Sequence, residues 1–294
     1  MRVIATGLRP GIFTTVFPRV TLGETLAAIR AHGIDAVQFD LENVGLPMLP
    51  DAIPEGLPET ITAACAAHDV TISALSGTFN MAHPDAAVRK RDLVRFRVLA
   101  AAARPMGTSV ITICTGTRDA HDMWHRHPDN DGPDAWADLL STLTVALTIA
   151  DDYDLTLAFE PEPANIAASA VRGRALLDEL RHPRLAVVMD PANILAGAMG
   201  RPPADALAEA FELLGDWILA THAKDIDASG RFCAAGTGIV PWDRHVELLR
   251  GIEFDGPLLL HSLVEVEVDH SVAVLRTAIE PGARMPDNTS DFPR

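Results

Sequence analysis

Short apolar runs of strand length alternate with longer, helix-like stretches along most of the chain. The apolar runs lie near residues 2–7, 34–40, 70–76, 108–115, 154–160, 184–190, 217–223 and 257–262. The helix-like stretches lie near residues 22–32, 55–68, 85–104, 134–152, 167–181, 204–214, 241–250 and 270–280. Eight such units predict parallel strands joined by crossover helices and closed into a (β/α)8 TIM barrel of the α/β class.

An open doubly wound sheet is the competing architecture. The glycines after the first apolar run, in VIATGLRPG, do not have the GxGxxG spacing of a dinucleotide-binding turn, which argues against it. No low-complexity linker divides the 294 residues. We therefore predict one TIM-barrel domain over residues 1–281 and a C-terminal tail over 282–294 whose composition is typical of disorder.

Four predicted strands in the second half of the chain end in a residue that can bind a metal ion. The runs LTLAF, LAVVM, WILAT and PLLL are followed directly by Glu160, Asp190, His222 and His261. The intervals of 30, 32 and 39 residues each fit one strand, one crossover helix and the return. Because the carboxyl ends of barrel strands meet at one rim, we expect the four side chains to converge there.

Charge and composition limit the partners and the compartment. With 24 Lys and Arg against 40 Asp and Glu, the formal charge of −16 repels a phosphate backbone, so nucleic acid is not an expected partner. No run approaches the roughly 18–20 apolar residues of a membrane span, and MRVIATGLRPG lacks the three regions of a signal peptide. Three widely spaced cysteines without a CxxC pair are predicted to be buried thiols. These features predict a cytoplasmic protein that does not associate with membranes.

Two carboxylates and two imidazoles form a donor set for a divalent cation. The mixture suits Mn²⁺, Mg²⁺, Co²⁺ or Zn²⁺, and the lack of cysteine ligands argues against a closed structural zinc site. An ion with an open coordination position polarises a carbonyl and stabilises the charge that forms when a neighbouring proton is removed. Each residue alone also has an ordinary explanation, such as a turn cap at Asp190 or a core histidine at a strand end. Their shared placement favours the metal site.

The motifs around these residues resemble those of the xylose-isomerase-like TIM barrels, described as sugar phosphate isomerases and epimerases. Glu160 in LAFEPEPAN, Asp190 in VVMDPAN and His222 in THAKD are similar to the family's metal-binding segments after the fifth, sixth and seventh strands. The segments NMAHPD and CTGTRD are similar to family loops. The resemblance extends from about Arg2 to Thr277. It implies a divalent ion, with Mn²⁺ favoured, and a sugar or sugar-derived substrate, and it leaves a homodimer open.

The end of the eighth predicted strand departs from the family pattern. Family epimerases place a second metal-binding, proton-transferring Glu there, whereas GPLLLHSLVE has His261, with Glu265 four residues later. A metal-bound imidazole has no lone pair left to act as a base. We therefore predict Glu160 and Glu162 as the catalytic carboxylates, with Glu265 as an alternative if a turn brings it back. An ion pair with a basic loop residue is the competing interpretation of Glu162.

Other polar residues near predicted strand ends are candidates for substrate binding. We predict this role for Lys224, Asn193, His125 and Gln38, and Asp40 is a further candidate for the rim. Lys224 shares the facing of His222, whereas Asp225 alternates and is expected to orient a metal ligand. Exposure to solvent is the alternative for Lys224, Asp225 and His125. The glycines of AAGTGIVPW are interpreted as a turn and not as a phosphate site.

Together these features predict a divalent-metal-dependent sugar isomerase or epimerase that removes a proton next to a metal-bound carbonyl or hydroxyl. A metal-dependent lyase or dehydratase acting on an oxidised sugar is the main alternative, because both reactions begin with the same proton abstraction. An abasic-site endonuclease is less favoured, since it needs more metal ligands and a surface that tolerates DNA. An inactive sugar-binding protein is the remaining alternative.

Overall fold

Eight parallel strands close into a barrel. The structure is a computed structural model and describes residues 7–280. The barrel strands, numbered first to eighth in chain order, are Arg9–Phe13, Ala36–Phe39, Thr71–Ser76, Val110–Ile113, Thr156–Phe159, Leu185–Met189, Ile218–Ala223 and Pro257–Leu260. The eighth strand closes on the first by pairing Leu260 with Ile12. The predicted TIM barrel is confirmed.

Helices cover the outside of the barrel and return the chain to the start of each next strand. They are α1 Leu22–Ala31, α2 Leu57–Ala67, α3 Ala86–Ala103, α4 Pro133–Asp152, α5 Ala170–Leu180, α6 Pro191–Ala196, α7 Pro203–Leu214, α8 Trp242–Gly251 and α9 Val268–Ile279. Short 3-10 turns lie at Thr14–Val16, Leu41–Val44, Pro128–Asp131, Gly215–Trp217 and Glu265–Glu267. Apart from α6, each α-helix overlaps a predicted helical stretch.

The first strand lies later than its prediction. Residues 2–6 of the predicted strand are outside the described part, and the observed strand, RPGIF, starts at Arg9. Its Gly11 lies so close to both neighbouring strands that a Cβ there would be 2.8 Å from the Pro257 Cβ and 3.0 Å from the Ala36 carbonyl oxygen. Pro and Gly lower strand propensity, so the tertiary fit overrode the local signal that favoured the apolar RVIA run.

Two short elements above the barrel are additional to the prediction. Helix α6 begins immediately after the sixth strand, with Pro191 in its first turn and Asp190 as its N-cap. A two-stranded antiparallel pair, Asp225–Ile226 with Phe232–Cys233, follows the seventh strand. Both elements are too short for hydrophobic periodicity to reveal them.

Apolar side chains fill the barrel and the layer between barrel and helices. Phe39 and Phe159 on the strands and Phe96 on α3 are among the largest fully buried side chains. Cys65 and Cys114 are buried free thiols as predicted, whereas Cys233 is only partly buried. Within residues 7–280, none of the helices is both long and apolar enough for a membrane crossing. The domain limit at residue 281 and the tail at 282–294 fall outside the described residues and stay predictions.

Candidate metal centre and active-site cavity

The rim at the carboxyl ends of strands five to eight gathers all four predicted metal-binding side chains. Glu160, Asp190 and His261 directly follow their strands, and His222 is the last residue but one of the seventh strand. One ligand atom from each of the four lies within 4.8 Å of those of the other three. Because four separate strands each contribute one side chain, the cluster forms only when the barrel closes, and no single sequence segment could form it alone.

Two donor atoms of this cluster, on His222 and Glu160, face each other without forming a hydrogen bond. The His222 Nδ1 lies 3.1 Å from the Glu160 Oε2. That nitrogen is nevertheless buried and lacks a partner with hydrogen-bond geometry among the described residues. Two donors that approach each other but do not bond suit a shared cation, since imidazole and carboxylate are both ligands of divalent metals. The residues present therefore fit a divalent ion.

Gln38 sets the orientation of the His222 ring. The Gln38 Oε1 lies 3.0 Å from the His222 Nε2, so this nitrogen carries the proton and donates it. The Gln38 Nε2 in turn donates to the hydroxyls of Ser76 and Thr112, at 2.8 Å each. The Nδ1 lone pair is thereby left free to face Glu160, which is the arrangement a metal-binding histidine needs.

Asp190 joins the cluster to Lys224. Its Oδ1 accepts the backbone N–H groups of Ala192 and Asn193 at the start of α6, at 2.9 and 3.3 Å. Its Oδ2 lies 3.0 Å from the Lys224 Nζ and 3.1 Å from the His261 Nε2. Burial would raise the pKa of Asp190, but the charge of Lys224 and the contact with His261 outweigh it and lower the pKa. Asp190 is therefore a helix cap and a charged member of the site at once.

Lys224 stays charged although it is buried. Burial alone would lower its pKa, but the neighbouring carboxylates, Asp190 first and then Glu160 and Glu162, raise it. Its Nζ also lies 3.9 Å from the Glu160 Oε1 and 4.4 Å from the centre of the Phe232 ring. Lys224 shares the facing of His222, as the strand pattern predicts.

Asn193 holds the other side of Glu160. Its Nδ2 donates to the Glu160 Oε1 at 2.6 Å, while its own Oδ1 is buried without a partner in the described part of the chain. The amide thus fixes the Glu160 carboxylate with the Oε2 turned toward His222. Contact of Asn193 with a substrate stays a prediction.

His261 packs against Phe13 from the first strand. The two rings stack at 4.9 Å between centroids, and the His222 ring lies 4.9 Å from that of His261. Burial lowers the pKa of His261 to about 4, because the hydrogen bond that it donates to the Asp190 carboxylate offsets the effect of burial only in part. A neutral imidazole at neutral pH is the form that can bind a metal.

A cavity of about 440 Å³ opens directly above the cluster. Glu160, Glu162, His222, Lys224 and His261 line one part of it. Burial, followed by the charge of Glu160, raises the pKa of Glu162 to about 8. No ion pair to a basic loop residue is found for Glu162 within residues 7–280, contrary to the competing interpretation. Its carboxyl group therefore borders the cavity beside the metal donors, and it becomes a proton-accepting carboxylate as the pH rises toward about 8.

The opposite part of the cavity wall comes from the first half of the barrel. Gln38, Asp40, Ser76 and Thr112 line it. The Asp40 residue is only 4% exposed, and its Oδ2 has no hydrogen-bond partner among the described groups. Burial raises the pKa of Asp40 to about 6, with hydrogen bonds from Ser76 and Thr14 offsetting it in part. Ser76, Phe13 and Phe232 were not singled out from the sequence, because serine and phenylalanine at strand ends or in loops give no distinctive signal.

Two further candidates, His125 and Glu265, lie away from the cluster. His125 is exposed and pairs with Asp119, its Nδ1 lying 2.7 Å from the Asp119 Oδ2, while its neighbour Trp124 lines the cavity. Glu265 forms a two-oxygen ion pair with Arg19, at 2.6 and 2.7 Å, and is not among the cavity-lining residues. The turn after His261 therefore does not bring Glu265 back as an alternative base.

Asp225 forms hydrogen bonds with the loop above the barrel and not with a metal-binding side chain. Its two oxygens accept the backbone N–H groups of Ile226, Val240 and Gly236 and the indole N–H of Trp242, at 2.9 to 3.2 Å. The expected role in orienting a metal ligand was wrong, because all of its contacts lie on the loop side. Gly236 has a φ of +89°, as the interpretation of its segment as a turn requires.

Comparison with known proteins identifies the family to which the chain belongs. The family model of the xylose isomerase-like TIM barrel matches residues 26–279. No curated protein matches the chain. Among solved structures, the chain covers 87% of its own length but only 39% of a fusion protein that joins a xylose isomerase-like TIM barrel to a 4-hydroxyphenylpyruvate dioxygenase, with 19% identity and a TM-score of 0.66.

Other similar structures are matched over nearly their whole length. The 3-keto-D-glucoside 4-epimerase YcjR of E. coli is 16% identical, with 92% of this chain and 99% of that one covered and a TM-score of 0.72. The probable 3-DHS dehydratase AsbF of Bacillus anthracis is 14% identical, with the same coverage and TM-score. The zinc-bound IolI protein is 15% identical, covers 92% and 97%, and has a TM-score of 0.68. At these identities the likeness establishes the fold.

Proposed function

On the premise that the chain belongs to the xylose isomerase-like TIM-barrel family, we propose that it is a divalent-metal-dependent sugar isomerase or epimerase. The observation that carries the proposal is the convergence of Glu160, Asp190, His222 and His261 beside an open cavity that three of them, Glu160, His222 and His261, line. A zinc-bound relative and an epimerase with the same fold support the assignment. Mn²⁺ is the favoured ion, because carboxylate and imidazole donors without thiolates suit it.

The four strand-end side chains would hold the ion, and Gln38 and Asn193 would keep two of them aimed at it. When bound, a divalent cation supplies Lewis-acid stabilisation for the negative charge that forms next to a carbonyl. Asn193 holds Glu160 through a contact of 2.6 Å, and Gln38 holds His222 through a contact of 3.0 Å. These contacts leave one donor atom of Glu160 and one of His222 free for the ion. Such outer contacts fix the ligand geometry before the substrate arrives.

Glu162 is the proton-transferring carboxylate in this proposal. It lines the cavity two residues after the ligand Glu160, and the charge of Lys224 nearby favours its ionised form. In its ionised form it removes the proton from the carbon next to the substrate carbonyl and returns it to the neighbouring carbon on the same face, so the molecular formula is unchanged. His261 takes no proton in this scheme, since its ring is committed to the ligand cluster.

Lys224 would bind substrate oxygen next to the transfer. It lines the cavity, and its ammonium carries three N–H donors, one of which is directed to Asp190 at 3.0 Å. Another donor can stabilise an oxygen on the reacting part of the sugar. His125 is a weaker candidate for contact, because it lies outside the cavity lining while Trp124 lies within it.

Metal binding and proton exchange test the function together. Full-length protein treated with chelator and dialysed is expected to bind one Mn²⁺ by titration calorimetry. With Mn²⁺ restored, it is expected to exchange solvent deuterium into a sugar substrate without change of molecular formula. A protein that binds neither Mn²⁺ nor Zn²⁺ under these conditions is not a metal-dependent isomerase.

A lyase or dehydratase is the second candidate. His261 in place of a strand-end carboxylate removes one of the two proton-transferring groups of a symmetrical epimerase, and a probable dehydratase shares the fold. Loss of water from the product, detected as a mass decrease, would select this reaction over isomerisation.

A further inference from the structure

We propose that Ser262 is the positioning residue of His261, because its hydroxyl holds the ring proton on the Nδ1 and so leaves the Nε2 lone pair directed at the metal donors. The inference rests on the proposed function and deepens it. His261 stands where family epimerases have a glutamate. A carboxylate in that place has lone pairs on both oxygens, whereas a neutral imidazole has a single ring-nitrogen lone pair whose position must be set.

Three contacts hold the His261 ring. Phe13 stacks on it at 4.9 Å between ring centroids. The His261 Nε2 lies 3.1 Å from the Asp190 Oδ2, and the His261 Nδ1 lies 3.1 Å from the Ser262 Oγ. Stacking fixes the plane of the ring but not the position of its proton. Since the Nε2 faces the metal donors, the partner at the Nδ1 determines how well that nitrogen can carry the proton instead.

The two tautomers of His261 use the Ser262 hydroxyl in opposite ways. The charged Asp190 can only accept, so with the Nε2 at its Oδ2 the ring proton lies on the Nε2, and the Nδ1 accepts the Ser262 hydroxyl proton. An imidazole binds a cation through a ring-nitrogen lone pair. For the Nε2 to be that ligand, the ring proton has to lie on the Nδ1, where the Ser262 Oγ accepts it.

A serine hydroxyl serves both tautomers, because it has one proton to donate and two lone pairs to accept, and it turns about its C–O bond. The partner of His222 is different in kind. Both N–H groups of the Gln38 amide have hydroxyl acceptors, so its Oε1 faces His222 and can only accept. Gln38 therefore fixes one tautomer of His222, whereas Ser262 supports the tautomer of His261 that leaves the Nε2 free.

The backbone of Ser262 gives an independent indication. Its φ is +56°, a left-handed conformation that is costly for any residue with a Cβ. The other described non-glycine residues with positive φ each lie at the end of a helix, where this conformation is common: Asp69, Asp154, Arg181 and Glu253. Ser262 instead follows a barrel strand and lines the cavity. Strain at such a position, where glycine would avoid it, indicates a use for the side chain.

Mn²⁺ titration of two variants of the full chain tests the proposal. Ser262→Ala removes the hydroxyl and keeps the strained backbone, whereas Ser262→Gly removes both. The Kd for Mn²⁺, measured by calorimetry, is expected to rise about tenfold in each, as is typical when the group that orients a metal-binding imidazole is lost. The Tm of metal-free Ser262→Gly is expected to equal or exceed that of Ser262→Ala, because glycine adopts positive φ without steric cost.

A matched control and a spectroscopic measurement separate the hydroxyl from the turn. The exposed Glu253 has a φ of +55° after α8, so Glu253→Gly makes the same backbone change away from the cluster and should leave the Kd for Mn²⁺ unchanged. Nitrogen-15 NMR of the protein loaded with Zn²⁺, which is diamagnetic, should show the His261 proton on the Nδ1. In Ser262→Ala this N–H signal should broaden through faster exchange with solvent.

Three results would overturn the inference. An unchanged Kd in both variants would mean that water replaces the exposed hydroxyl at the His261 Nδ1. A higher Kd in Ser262→Gly alone would make the backbone turn, and not the hydroxyl, the cause. A proton that stays on the Nε2 with Zn²⁺ bound would exclude that nitrogen as the ligand. Each of these leaves metal binding by the unaltered protein intact, whereas absence of Mn²⁺ and Zn²⁺ binding by the unaltered protein contradicts the proposed function instead.

Discussion

The two halves of the barrel rim carry different kinds of side chain. Strands five to eight deliver the candidate ion-binding set and Lys224, a cluster of charged and titratable groups in mutual contact. Strands two to four deliver Gln38, Ser76 and Thr112, which are uncharged, and Asp40, which has no ion-pair partner in the described chain. On the proposed function, the rim is divided into a charged half, which would hold the ion and transfer the proton, and a mostly uncharged half, the recognising half, which would orient these groups and contact the substrate.

The largest expected effect lies in the charged half, at Asp190. Asp190→Asn keeps an oxygen to cap α6 but removes a metal donor and the carboxylate 3.0 Å from the buried Lys224. Stability is expected to fall by about 3 kcal/mol, since a buried charge loses its main partner. Mn²⁺ binding is expected to be lost. Urea unfolding and calorimetry measure the two effects.

The exposed Asp205 in the first turn of α7 provides the matched control. Asp205→Asn removes the same charge without touching the cluster, so Mn²⁺ affinity should equal that of the unaltered protein. Normal Mn²⁺ affinity in Asp190→Asn would contradict the assignment of the charged half as the ion-binding half.

Glu162 is expected to give the next largest effect, on proton transfer alone. Glu162→Gln preserves shape but cannot accept a proton, so deuterium exchange should slow by about 10²- to 10⁴-fold. Mn²⁺ affinity should be retained, because the residue is not in the ligand cluster. Mass spectrometry of the recovered sugar measures the exchange. Full exchange activity in this variant would transfer the base role to another group.

Asp40 offers a pH test in the recognising half. Burial raises its pKa from 3.8 to about 6, so its protonated form stabilises the fold below about pH 3.8, and this stabilisation is lost as the pH rises through about 6. At about 1.4 kcal/mol per pKa unit, the loss approaches 3 kcal/mol. Asp40→Asn does not titrate, so metal-free variant protein should become more stable than unaltered protein above pH 6. Urea unfolding at pH 5 and pH 8 measures the difference, and equal pH profiles would contradict it.

Gln38 connects the two halves and should give a smaller effect. Gln38→Leu removes the acceptor 3.0 Å from the His222 Nε2, so the ring loses its fixed tautomer and orientation. Metal affinity should fall about 10- to 100-fold, as is typical when the group that orients a ligand is lost. Gln38→Glu restores an acceptor and should recover part of the affinity, a recovery that a purely packing role would not produce.

The charged half was far more accessible from sequence than the recognising half. Glu160, Asp190, His222 and His261 were found because each follows an apolar run, and strand ends of a parallel barrel meet by topology. Gln38 was chosen as a substrate contact, but its bond to His222 spans 184 residues and depends on how the barrel closes. Periodicity carries no information on such pairings.

Most of the remaining differences between prediction and structure arise where tertiary contacts override a local sequence signal. The first strand contains Pro10 and Gly11, both of which have low strand propensity, and the close approach of Pro257 leaves no room for a side chain at Gly11. Asp225 looked like a partner of the site because it adjoins Lys224, yet the following loop folds back onto it. The four N–H donors reach the Asp225 carboxylate only because of the three-dimensional path of this loop. Residue spacing in the sequence does not predict that path.

The smallest expected effect is at Glu265, which lies just beyond the charged half. Glu265→Gln breaks the ion pair with Arg19, whose side chain is 33% exposed against 37% for Glu265. Solvent screens such pairs, so stability should change by less than about 1 kcal/mol. Deuterium exchange and Mn²⁺ affinity should be unchanged, because the carboxylate is turned toward Arg19 and away from the cavity. A large loss of exchange here, with Glu162→Gln active, would move the base from the fifth strand to the eighth and return the site to the paired-carboxylate pattern.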